Sequence, residues 1–68
     1  MIDTLALKGE IIKNGKNCAE IAKHLGISTK TFYNKLKRGV FDSDEIEEMI
    51  VILNIQNPMS IFFVNSVT

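Results

Sequence analysis

The sequence predicts an all-α fold, a small domain of five short helices. Three observations carry that expectation. Gly15, Gly26 and Gly39 divide the chain into pieces of helical length, each glycine following an amphipathic segment. Asn17, Ser28 and Asp42, residues that cap helix starts, stand in front of three later pieces. No segment alternates apolar and polar residues between hairpin turn signals. A chain of 68 residues makes one domain, 1–68. A domain this small buries only about 60% of its unfolded surface. The single cysteine, Cys18, rules out an internal disulfide or a cysteine-based zinc site within this chain. A compact helical bundle, or association with a partner, is the expected solution.

The first helix is expected over residues 3–14, stopped by Gly15. Leu7 and Ile11 share one face, while Leu5 and Ile12 fall nearly opposite. Gly9 lies on that second side, where it would admit a close neighbour, at about 1 kcal/mol against alanine. The second helix begins after Asn17, and Asn17-x-x-Glu20 has the form of a capping box. Ile21, Ala22 and Leu25 are its buried face and Gly26 its stop. Ser28 caps a third helix over 29–38, with Ile27 and Phe32 at hydrophobic-staple spacing. Phe32 and Leu36 turn inward, and Gly39 ends it. The fourth helix starts near Asp42, with Phe41 and Ile46 as a second staple and Glu45 in the box position. Ile46, Met49, Ile50 and Leu53 are its apolar stripe, and Asp44, Glu47 and Glu48 its solvent face. Pro58 suits the first turn of a short fifth helix holding Ile61, Phe62, Phe63 and Val64. The expected core is Ile21, Ala22, Leu25, Phe32, Leu36, Ile46, Ile50 and Leu53.

Net charge is zero, but it divides unevenly. Residues 1–38 carry all eight bases and three acids, a net +5, while residues 39–68 carry five acids and no base, a net −5. The first part therefore suits an anionic partner. Apolar runs such as Met49–Leu53 and Ile61–Val64 are too short to span a bilayer, and no long apolar run follows Met1 and Asp3 as a signal peptide would need. No lipidation motif is present, so a cytoplasmic setting is expected. Acids, bases and nucleophiles do not group as an active site would need, so no enzyme, cofactor, metal or small-molecule ligand is expected. The acids of 42–48 lack the spacing of a calcium loop, and His24 reads as a solvated side chain.

The informative stretch is 17–39. Two short helices meet across a Gly26-Ile27-Ser28 turn, with Ala22 small at their crossing. Burial of Phe32 and Leu36 leaves Thr29, Lys30, Tyr33, Asn34 and Lys37 outside. This is helix-turn-helix geometry, in which the second helix enters the DNA major groove. Ala22, Gly26 and the apolar Ile21, Leu25, Ile27 and Phe32 match the motif of the lambda-repressor-like (Cro/XRE) domains, which the chain resembles over about residues 4–64. It looks most like short phage-type members from Gram-positive hosts, which act in the lysis–lysogeny switch. The resemblance implies base contacts by Ser28, Thr29, Lys30, Tyr33 and Asn34, whose donors and acceptors suit base edges. It implies phosphate contacts by Asn17, Lys37 and Arg38. Two departures stand out. Cys18 occupies a position where many relatives have glutamine, and the usual second apolar residue of the third helix falls at Lys35, with Leu36 taking its role.

Two functions follow. One is a Cro-like transcriptional regulator acting as a homodimer on double-stranded operator DNA. The alternative is an antirepressor that binds the phage repressor by protein–protein contact. The second draws on Glu47, Glu48 and Val51, which share one face, and on Phe62 and Phe63, of which one is expected to remain available to a partner. The fifth helix is expected to pack over Leu5 and Gly9.

Overall fold

The structure, a computed structural model, describes residues 2–62. Among these residues there are five helices and no strand: α1 Thr4–Lys13, α2 Cys18–Leu25, α3 Thr29–Arg38, α4 Ser43–Ile52 and α5 Pro58–Phe62. Polar side chains start the first four. Asp3 accepts from the Ala6 amide at 3.0 Å, Asn17 from Glu20 at 2.9 Å, Ser28 from Thr31 at 3.0 Å and Asp42 from Glu45 at 3.0 Å. Each satisfies a first-turn amide that has no intrahelical acceptor. Asn17–Glu20 and Asp42–Glu45 are reciprocal capping boxes, as their spacing predicts. Asp3, expected inside the first helix, instead stands outside it as the cap.

The helix ends share one device. Gly15, Gly26, Gly39 and Asn54 sit in the left-handed region, with φ of 70°, 72°, 71° and 49°. The following amide turns back onto the helix: Lys16 to Ile11, Ile27 to Ala22, Val40 to Lys35 and Ile55 to Ile50, at 3.0–3.1 Å. Asn54 tolerates this conformation because its short side chain costs little there.

The core gathers Leu7 and Ile11 of α1, Ile21 and Ala22 of α2, Phe32 and Leu36 of α3, and Met49 and Leu53 from α4 and its end. Phe41 and Ile55 close it from the connecting turns. Leu25, Ile46 and Ile50, expected in the core, are only partly buried and pack against it. The reason is rotational. The inward line of α4 runs Glu45–Met49–Leu53, four residues per step, so Ile46 and Ile50 flank it.

The fifth helix corrects three expectations. It joins the start of α1 through Asp3 N–H donating to Ile61 O at 2.7 Å, and it buries Ile2, Ile61 and Phe62. It does not cover Leu5, which is 78% exposed. Nor does Gly9 admit a neighbour, since a methyl group there would meet nothing within 4 Å. Phe62 is 2% exposed and belongs to the core, which removes it from any docking surface. Phe63 and Val64 lie outside the described residues. Among the described residues no helix is long and apolar enough to cross a membrane.

Candidate nucleic-acid interface

Helices α2 and α3 pack together across the Gly26-Ile27-Ser28 turn, and Ala22 of α2 is buried. Phe32 anchors α3. Its ring lies 5.4 Å from that of Phe41 and meets Tyr33 edge-on at 6.5 Å. With Phe32 and Leu36 inward, Thr29, Lys30, Tyr33, Asn34, Lys37 and Arg38 are all exposed. Lys30, Tyr33, Asn34 and Lys37 follow at three- and four-residue steps and share one side, while Arg38 falls toward its far edge.

Two predicted contacts have other engagements. Ser28 Oγ accepts from the Thr31 amide and donates to Thr31 Oγ1 at 2.9 Å, so its hydroxyl serves the cap. Asn17 spends its side-chain oxygen and its own amide on the capping box. What α2 still offers an anion is the first-turn amides of Cys18 and Ala19, which have no intrahelical acceptor.

The structure adds two cations that sequence reasoning missed. Lys8, Lys16, Ile12, Cys18 and Tyr33 line an open notch of about 310 Å³ between α1, α2 and α3. An adjoining cleft of about 270 Å³ brings Lys8 and Tyr33 beside Asn34 and Lys37. Tyr33 and Lys8 thus stand where the two meet. Only the uneven charge division hinted at them, because nothing local in α1 tells which side faces α3.

Cys18 acts on Tyr33. Hydrogen bonding with the thiol and its charge, with slight burial behind them, raise the phenol above its ordinary pKa. At neutral pH the phenol keeps its proton with or without this effect, so Tyr33 can donate a hydrogen bond. In Cys18→Ala the tyrosinate absorbance is expected to titrate at lower pH, toward the ordinary value near 10. An unshifted titration would show that the thiol does not act on the phenol.

Lys35 explains the second departure. Where the resemblance places an apolar side chain, Lys35 Nζ donates to both oxygens of Glu45, at 2.8 and 2.6 Å. Glu45 Oε1 also accepts the Asp42 amide at 3.0 Å. One carboxylate therefore caps α4 and ties it to α3, which fixes the outward side of α3.

On α4, Asp44, Glu47 and Glu48 are exposed, and Val51 among them is 77% exposed. Asp44, Glu45 and Glu48 face His24 and Leu25 across a cleft of about 260 Å³. Among the described residues no group of three His, Cys, Asp or Glu could hold a metal.

No family model, curated protein or solved structure matches the chain. The chemistry of the α3 side stands by itself. Cations surround a phenol donor and a carboxamide, an arrangement suited to a polyanion that displays donors and acceptors between its charges.

Proposed function

We propose that the chain is a helix-turn-helix transcriptional regulator of the lambda-repressor-like kind, Cro-like, binding operator DNA through α3. The observation that carries this reading is the exposed polar side of α3, Thr29 to Lys37, held by two buried residues and bordered by Lys8 and Lys16. Thr29, Lys30, Tyr33 and Asn34 meet base edges, with Ser28 at the start of the helix. Lys37, Arg38 and the Asn17 end of α2 meet phosphates. Such a protein works in the cytoplasm of a bacterial host and needs no cofactor or metal.

Gel-shift titration with duplex promoter DNA at two salt concentrations tests the reading. Asn34→Ala is expected to weaken the preferred site by about 1–3 kcal/mol and relax preference at one base pair. Lys37→Ala is expected to weaken all sequences alike and reduce the salt slope by about one unit. No salt-dependent binding to any duplex would reject it.

A second reading has one observation in its favour. Val51, exposed among acids, suits docking onto a basic protein surface, as in an antirepressor that engages a phage repressor. Adding the repressor to the same titration separates the two, since an antirepressor acts only when the repressor is present.

A further inference from the structure

We propose that the chain binds a second copy of itself through unlike faces, the acidic outer face of α4 on one copy against the apolar notch of α1, α2 and α3 on the other. Each face has an apolar centre flanked by charge. On α4, Val51 stands one turn from Glu47 and Glu48. In the notch, Ile12 is 75% and Tyr33 52% exposed, with Lys8 and Lys16 beside them. Leu5 prolongs the apolar strip, because residues seven apart on a helix stay within about 20° of one direction. Large apolar side chains exposed together mark an interaction site.

Charge selects the occupant. Two α4 faces together would set Glu47 and Glu48 against their own kind, and two notches would do the same with Lys8 and Lys16. Like charges directly opposed disfavour both pairings. The unlike pairing joins acid to base around an apolar centre. A net charge of zero leaves no overall repulsion between copies, while the +5 and −5 parts orient them. No residue that lines the notch lies on α4, so one copy can present both faces. The contact closes as a reciprocal dimer or continues as a chain, and both contain it.

One consequence rests on the DNA reading. Tyr33 belongs to the notch and to the cleft it shares with Asn34 and Lys37, so a docked copy covers part of the side that meets DNA. The self-contact itself does not depend on that reading and is measured without DNA.

Analytical ultracentrifugation of the full chain, over a range of concentrations at low and high salt, tests the proposal. Mass is expected to rise with concentration, and less so at high salt. Two charge reversals, Glu47→Lys with Glu48→Lys, and Lys8→Glu with Lys16→Glu, are each expected to weaken association more than about tenfold. Mixing the two variants is expected to restore it, because the mixture re-forms both acid–base contacts, one of them native. Circular dichroism checks that each variant folds. The neutral pair Glu47→Gln with Glu48→Gln, which weakens association without reversing it, replaces a reversal that does not. A wild-type chain that stays monomeric, association indifferent to the charge changes, or reversed chains that stay apart on mixing would each overturn the proposal. So would a monomer whose Glu47 and Glu48 instead capture a basic DNA-binding domain.

Discussion

Phe32→Ala is expected to leave much of the chain unfolded at room temperature. Among the described residues Phe32 is the largest of the fully enclosed side chains, and it touches the rings of Phe41 and Tyr33. Truncating a buried phenylalanine costs about 3–5 kcal/mol, the lost transfer energy plus the cavity left behind. A domain of this size has a total stability on the order of 3–10 kcal/mol. Thermal melting followed by circular dichroism reads the effect. A variant that melts with the wild type would show that α3 does not depend on this anchor. The same substitution removes the support of Tyr33, so DNA binding is expected to fall with stability.

Glu45→Ala is expected to be the next most damaging change, at about 2–3 kcal/mol. It removes three hydrogen bonds together, two from Lys35 Nζ and one from the Asp42 amide. It also empties the inward line of α4 at its first position. The figure stays below that of a fully enclosed ion pair because the Lys35 side chain is 29% exposed and water screens it. Glu45→Gln keeps an acceptor for the Asp42 amide and loses the charge, so it is expected to cost about half as much. Replacing Lys35 and Glu45 together with methionine is expected to recover part of the loss, since neither charge is then left without its partner. Denaturant midpoints for the single and double variants, set in a mutant cycle, give the coupling directly. A Glu45→Ala chain as stable as the wild type would show that the tie between α3 and α4 contributes nothing.

The boundaries of α2 and α3 were legible in the sequence because their signals are local. A capping side chain acts on an amide three residues away, and a glycine stops the helix it follows. Asn54 stops α4 in the same way, where the resemblance alone, and no glycine, marked the end of the helix. Asp3 was legible only as an acid near a helix start, and its place outside α1 depends on the turn it actually caps. Glu45 was legible as half of a capping box. Its partner Lys35 lies ten residues upstream, and no periodicity within either helix connects them. The exposed side of α3 followed from its complement, Phe32 and Leu36. Lys8 and Lys16 did not, because their approach to Tyr33 depends on how α1 and the turn after it lie against α3. The sequence left open whether Phe62 or Phe63 stays available to a partner, for a similar reason. Only the docking of α5 on the start of α1 buries Phe62, and no pattern within the fifth helix announces that contact.

The Asp3–Ile61 hydrogen bond gives the folding reaction an order. Among the described residues, every other backbone bond of the turns and caps joins residues within five positions of each other, so the backbone bonds of α1 to α4 form locally, while the packing of α2 on α4 does not. The Asp3–Ile61 clasp must close a loop that encloses those helices, and the entropy of closure is recovered only once they are in place to hold its two sides together. It is expected to form late and to be among the first contacts to open. Opening frees Ile2, Ile61 and Phe62 together, an apolar patch that the closed molecule hides. The population of this opened form, rather than global unfolding, is then expected to set how readily a protease meets the segment around α5.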